Sequence, residues 1–165
     1  MRQQLTEFAE QDDRNAVGAQ IAVHLQLQRD AMMRLAELDN LIASSRAQRD
    51  LLQSALEARS GTGSGSLEAQ LRAMVGSGAL DEGTAAQLER ALAQLPPGAT
   101  TGGQDLLTLV TRTQVETLTS QLAGYLAERE QLRVTLNGSN GEYAALRTQL
   151  TEMNQRFEQL ELARH

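Results

Sequence analysis

"LNGSNGEY", residues 136 to 143, separates two stretches that each carry a regular apolar stripe. This segment decides the fold, because the chain either continues through it as one long helix or turns back and packs on itself. Gly138 after Asn137 is typical of a helix C-terminus, and Ser139 with Glu142 makes a capping box for a new helix. Two glycines inside a continuous helix would each cost about 1 kcal/mol relative to alanine. The local chemistry therefore favours a turn.

The phase of the apolar stripe and the pairing of the helices give opposite indications. Leu136 and Tyr143 lie seven residues apart, so the stripe continues in phase, as a straight coiled coil requires. If the chain turns back about Ser139, however, Met153 lies opposite Tyr125 and apolar residues face each other. A straight chain would instead place the last helix against the polar amino terminus. We therefore predict that the chain turns back.

The composition indicates an all-α protein. Leu, Ala, Gln, Glu and Arg dominate the chain, and these residues have the strongest helix propensity. Apolar positions spaced three and four apart predict a long helix over 19–59 and two shorter ones over 105–136 and 142–164. The last two form a helical hairpin over 104–165 that turns at 137–141. The predicted fold is an antiparallel three-helix, coiled-coil-like bundle.

A short helical hairpin is predicted within the linker-flanked segment 60–103. The flexible stretch "SGTGSGS" precedes it and "PPGATTGG" follows it. The hairpin covers 66–95, and Thr84 with Gln87 makes a capping box at the start of its second helix. Because its two helices hold few apolar side chains and both linkers are flexible by composition, we expect a mobile, semi-independent unit.

The first 18 residues form a polar segment. Leu5 and Phe8 are the only strong apolar anchors in its first half, and Asp12 and Asp13 weaken a helix here. We expect residues 1–18 to fray or to be ordered by a partner.

The predicted long helix overhangs its two shorter partners, which leaves part of its apolar face uncovered. Ile21, Leu25, Met32 and Leu35 lie on that face, since their spacings are three, four and sums of these. We predict that these four residues bind a protein partner or mediate self-association through helices.

Several classes of function are disfavoured by the residues present. A formal net charge of −6 argues against nucleic-acid binding, which requires clustered positive charge. Without cysteine and lysine the chain has neither a thiolate metal site nor a Walker A lysine. His24 and His165 lack the Glu-x-x-His or His-x-x-x-His spacing of helical metal sites. We expect no catalytic residue, no cofactor and no metal.

The hydropathy pattern bears on location. No apolar run approaches the roughly 20 residues that span a bilayer, and the amino terminus lacks the apolar region of a signal peptide. We expect no membrane insertion and a soluble, cytoplasmic protein by default, with a virion or secreted complex as the alternative.

The expected function is non-enzymatic binding, as an assembly factor, adaptor or secretion chaperone that binds a partner helix. The plan of the chain is similar to that of flagellar export chaperones, notably in "RDLLQSALEAR" and "LNGSNGEYAALRTQL". The central "LRAMVGSGALDEGTAAQLERAL" loosely resembles the short helical SHOCT modules. The alternative is a structural coiled-coil subunit of a phage virion or secretion apparatus that forms a fixed homo-oligomer. Both hypotheses point to a bacterial or phage protein.

Overall fold

A computed structural model describes residues 2–58, 66–95 and 101–162. They form four α-helices, α1 Arg2–Ala58, α2 Ser66–Ser77, α3 Glu82–Ala93 and α4 Thr101–Leu162. No strand occurs in these ranges, and α1 packs against α4, so the all-α bundle with an inserted short helical hairpin is confirmed. Most of both predicted linkers lies outside the described residues.

The predicted turn at 137–141 is wrong, because α4 continues through it without interruption. One 62-residue helix, which ends at Leu162, therefore contains the stretch 105–136 and the described part of 142–164. The bundle has two long helices rather than three. A Cβ added at Gly138 or Gly141 would meet no atom within 4 Å, so neither glycine is required by close packing within the chain. Capping signals in the sequence are thus overridden here by packing along the helix on either side.

The amino-terminal segment is also different from the prediction. α1 begins at Arg2, so residues 2–18 continue the helix that was expected to start at residue 19. Val17 is buried, and the Arg14 guanidinium lies 4.7 Å from the centre of the Phe157 ring. A cation over an aromatic face is attracted by the ring quadrupole. These contacts supply anchors that the polar composition did not indicate. The side chains of Leu5 and Phe8 lie outside the described residues.

The chain divides into two compact units. The two-helix unit comprises Met1–Glu37 and Glu128–His165, and the four-helix unit comprises Leu38–Ala127. α1 and α4 contribute to both units, whereas α2 and α3 belong to the four-helix unit alone.

The four-helix unit has a continuous apolar core to which all four helices contribute. Leu71 of α2 and Leu88 of α3 are fully buried in the same cluster as Leu52 of α1 and Leu107 of α4. The inserted hairpin therefore shares a core with α1 and α4, whereas its flanking linkers predicted a semi-independent unit. Its short helices obtain from α1 and α4 the packing that they could not supply for themselves. The buried members of the cluster are Leu52, Ala55, Leu67, Leu71, Leu80, Leu88, Ala91, Leu92, Leu107 and Leu118.

The turn between α2 and α3 explains why α3 starts earlier than the predicted capping box. Gly78 has φ +68°, a left-handed conformation that glycine adopts without steric cost. Asp81 is the N-cap, and its carboxylate accepts hydrogen bonds from the Thr84 main-chain N–H at 2.9 Å and the Thr84 hydroxyl at 2.8 Å. Thr84 therefore lies inside the first turn of α3 instead of capping it together with Gln87.

Candidate partner-binding site

The two-helix unit consists of α1 and α4 running antiparallel. Arg34 Nε donates to Glu128 Oε1 at 2.8 Å, and His24 Nδ1 lies 3.2 Å from Ser139 Oγ. Residue numbers thus rise along α1 as they fall along α4. The apolar residues of α4 that lie between the helices are half-buried, and they are Leu132, Leu136, Tyr143, Leu146, Leu150, Met153 and Phe157.

A polar layer interrupts this apolar contact where α4 carries the glycine-rich segment. His24 meets Ser139, and its Nε2 lies 3.6 Å from Glu142 Oε2. One turn further along α1, Gln28 Nε2 donates to Asn140 Oδ1 at 2.8 Å. Polar pairs within an apolar helix contact specify its register, because any slip leaves them unpaired. Gln28 lies between Leu25 and Met32 in the α1 stripe, and its pairing with the polar segment of α4 was not predicted from the sequence.

Ser139, His24 and Glu142 are the residue types of a hydrolase triad, but their arrangement lacks what acyl transfer requires. The 3.6 Å between His24 and Glu142 is too long for the hydrogen bond that orients a catalytic base. Ser139 also lies inside α4, where main-chain N–H groups are used by the helix and are unavailable to stabilise an oxyanion. The geometry fits a structural layer.

The two-helix unit leaves large apolar side chains at its surface. Val17 is the one apolar side chain among its described residues that is buried, whereas the four-helix unit buries many. Two helices in a single layer cover only the stripe between them, so apolar residues on their flanks stay in contact with water. Those exposed are Val23, Leu25, Leu27, Met32, Met33, Val134, Leu160 and Leu162.

The predicted partner-binding residues are divided between the helix contact and the surface. Ile21 and Leu35 are half-buried, while Leu25 is 47% and Met32 65% exposed. The predicted overhang does not account for this exposure. α4 is one continuous helix, and it contacts α1 along this stretch at His24 and at Arg34. Met32 lines a groove of about 460 Å³ together with Gln28, Glu130, Arg133, Val134, Leu136, Asn137 and Asn140, which we call the Met32 groove.

A second groove, of about 540 Å³, lies along the two-helix unit and is lined by Leu27, so we call it the Leu27 groove. Its charged and polar lining comes from Asp30, Arg34, Glu142, His24, Ser139, Gln28 and Thr135. Its remaining lining is apolar and consists of Leu27, Ala31, Leu132, Leu136 and Gly138. Concave, mostly apolar surfaces with a few polar groups are the usual form of binding sites.

Arg34 is the one cation of the Leu27 groove that is held by carboxylates on both helices. The hydrogen bond to Glu128, followed by that to Glu37 at 2.7 Å, raises the pKa of Arg34 above its usual range. Its charge is therefore offset by two neighbouring carboxylates. Asp30, in contrast, has no ion-pair partner among the described residues, and Glu142 has only the distant His24.

The four-helix unit contains a polar cleft of about 350 Å³. Gln114 Nε2 donates to Gln87 Oε1 across it, and Gln48 Nε2 donates to Ser44 Oγ at 3.1 Å. The buried Oε1 of Gln48 accepts no hydrogen bond from the described residues. The one charged side chain that lines the cleft is Asp81, which already caps α3. The lining contains no histidine beside its serine hydroxyls, so the usual base that activates such a nucleophile is missing from the cleft.

Metal-binding clusters and membrane-spanning helices are both absent from the described residues. The described residues contain no group of three or more His, Cys, Asp or Glu side chains that could hold a metal ion. Within those ranges, no helix combines the length and the apolarity needed to cross a bilayer. Comparison with protein-family models, with curated proteins and with solved structures found no match.

Proposed function

We propose that this chain is a non-enzymatic helical interaction protein, an assembly factor, adaptor or export chaperone, whose two-helix unit binds a helix of a partner protein. One observation carries the proposal. Among the described residues, the two-helix unit exposes eight large apolar side chains and buries one, whereas the four-helix unit exposes four and buries a core of many. The proposal places the protein in the cytoplasm of a bacterium or an infected bacterial cell.

The physical argument rests on how helices cover one another. Two antiparallel helices leave a groove on each side of their contact, and a third helix laid in a groove buries the flanking side chains. Contiguous exposed apolar surface on a folded protein is commonly an interaction site, and recognition of an amphipathic helix by an apolar groove is a recurrent mode. The predicted residues Leu25 and Met32, with Ile21 and Leu35 beside them, are part of this surface.

Selection of helical peptides from a displayed library tests the proposal. We expect wild-type protein to enrich amphipathic helices, and we expect a substitution such as Met32→Glu to change the enriched set or lower binding. The matched control is Gln26→Glu, which adds the same charge at an exposed position outside both grooves. Failure of the wild type to enrich any amphipathic helix would contradict the proposal.

The alternative is a structural subunit that forms a fixed homo-oligomer in a virion or secretion apparatus. The exposed apolar surface supports this alternative too, because a second copy could cover it. Light scattering over a dilution series separates the two, since an adaptor is a monomer or dimer and a structural subunit keeps one larger assembly.

The non-enzymatic part of the proposal is tested at the polar layer. We expect hydrolysis of p-nitrophenyl acetate to be no faster than with an equal concentration of free imidazole, and unchanged in Ser139→Ala. A rate well above imidazole that is lost in Ser139→Ala would assign catalysis to the layer.

A further inference from the structure

We propose that the Leu27 groove is the docking site for a basic amphipathic helix of a partner protein. The inference rests on the proposed function and adds to it the groove that is used and the charge of the helix that occupies it.

The charges that line the groove argue for a basic occupant. Asp30 on α1 and Glu142 on α4 bring one carboxylate from each helix to the groove. Arg34 is the opposing cation, but it lies within 2.7–2.8 Å of Glu37 and Glu128, which offset its charge. With Glu37 and Glu128 included, four carboxylates surround one guanidinium, so these groups together are negative. An occupant with arginine or lysine on both flanks of its apolar face matches this pattern.

The dimensions of the groove fit a helix. Its lining on α1 runs from His24 to Arg34, and ten residues of helix correspond to about 15 Å. Apolar residues at positions i, i+4 and i+7 of a bound helix span about 10 Å. They can therefore lie against Leu27 and Ala31 within this length.

Gly138 supplies an independent indication of an occupant. It lines the groove, and an added Cβ would meet no atom within 4 Å. Glycine inside a helix weakens the helix, and no close contact at Gly138 with the described residues compensates for that. A missing side chain does allow a second helix to approach the backbone closely, as small residues do at tight helix contacts.

The same charges argue against a second copy of this chain as the occupant. In a two-fold symmetric pairing, the same patch of each copy faces its counterpart. Asp30 and Glu142 of one copy would then lie near Asp30 and Glu142 of the other, which is unfavourable because like charges repel. A partner protein with a basic helix has no such penalty.

The test uses the full chain and three labelled synthetic peptides of about 18 residues. Two of them carry leucine at i, i+3, i+4 and i+7, flanked by lysine in one and by glutamate in the other. The third has the composition of the lysine peptide in scrambled order, which removes the apolar face. Fluorescence anisotropy should give at least tenfold tighter binding for the lysine peptide than for the other two. Its affinity should fall as salt is raised, because salt screens exposed charges.

Two pairs of variants locate the binding site. Leu27→Gln should weaken binding of the lysine peptide about tenfold, as expected for loss of one buried leucine contact. The matched control is Val23→Gln, because Val23 is 60% and Leu27 55% exposed but only Leu27 lines the groove. The double variant Asp30→Asn, Glu142→Gln should weaken binding about threefold to tenfold, as two exposed ion pairs predict. Glu152→Gln, Glu158→Gln removes the same charge at exposed positions outside both grooves and should change little.

Each outcome supports or overturns one of the two proposals. Equal binding of the lysine and glutamate peptides overturns this inference. So does a larger loss in Val23→Gln, or in Glu152→Gln, Glu158→Gln, than in the groove variants. Helix binding as such would then still hold, and Met32→Glu would show whether the Met32 groove is used. If neither leucine-rich peptide binds better than the scrambled one, this inference is wrong. The library selection then decides separately whether the proposed function also fails.

Discussion

His24 and Ser139 lie 3.2 Å apart, Nδ1 to Oγ, although 115 residues separate them in the chain. The contact brings the glycine-rich segment of α4 against the first half of α1. Each helix has a polar interruption in its apolar stripe, and the two interruptions meet. The segment that resembles a turn in the sequence is therefore one side of a polar layer between two continuous helices.

A distance within α4 tests its continuity directly. The chain has no cysteine, so Gln131→Cys, Thr151→Cys introduces two unique, exposed spin-label sites within the two-helix unit. Twenty residues of continuous helix separate the backbones by about 30 Å. A turn about Ser139 would leave an offset of about four residues and a helix spacing of 8–10 Å, or about 11 Å in all. Double electron–electron resonance in magnetically dilute samples should show the longer distance.

The two glycines of the segment should be destabilising. Gly138→Ala and Gly141→Ala should each raise the free energy of unfolding by about 1 kcal/mol, because alanine has the higher helix propensity and the added Cβ meets no atom within 4 Å. Urea denaturation followed by circular dichroism measures the change. Gly78→Ala is the opposite control. Gly78 has φ +68°, where a residue with a side chain is strained, so Gly78→Ala should lower the free energy of unfolding by about 1 kcal/mol or more. Destabilisation by the first two substitutions would mean that α4 is not helical there.

The inserted hairpin should be essential to the four-helix unit. Leu88 is fully buried in the shared core, so Leu88→Ala should cost about 2–5 kcal/mol of stability. Leu109→Ala, at a position 62% exposed on α4, should cost well under 1 kcal/mol. Thermal unfolding of both variants measures the difference. Near-equal effects would indicate that the hairpin does not share a core with α1 and α4.

The cap of α3 should make stability depend on pH. Burial opposes ionisation of Asp81, but hydrogen bonds from the Thr84 main-chain N–H and hydroxyl and from the Gly83 N–H outweigh it and hold the pKa of the carboxyl below its usual range. A carboxyl whose folded pKa is depressed stabilises the fold fully above its unfolded pKa, and this stabilisation is lost as pH falls through the folded pKa.

The measurement compares melting temperatures of the wild type and Asp81→Asn from pH 7 to pH 2. Asparagine also caps helices but does not titrate. The difference should be constant above about pH 5 and should move in favour of the variant below about pH 4, because the aspartate of the unfolded chain is protonated before that of the folded chain. Glu89→Gln, an exposed change on the same helix and away from the cap, is the control. A pH-independent difference for Asp81→Asn would exclude a role for the ionised cap.

The sequence alone was sufficient for the helical class, because propensity and apolar spacing are local properties. Leu71 and Leu88 have the spacing of buried helix positions, and both are in the core. The inserted hairpin was recognised for the same reason, from "GSGALDEGT" between two short apolar stripes. Its attachment to the core was missed, because flexible linker composition does not reveal what a helix packs against.

The course of α4 was decided only by tertiary contacts. The cap signals around Gly138 and Ser139 favour a helix end by roughly 1–2 kcal/mol. Packing of α4 against α1 on both sides of the segment stabilises the continuous helix by more than this. The pairing of apolar residues on facing helices favoured the turn, because it took no account of polar contacts. These contacts are the Arg14 guanidinium over the Phe157 ring and the hydrogen bond between Gln28 and Asn140. A local preference cannot report a pairing between residues more than a hundred positions apart. Only the folded chain brings those polar groups together.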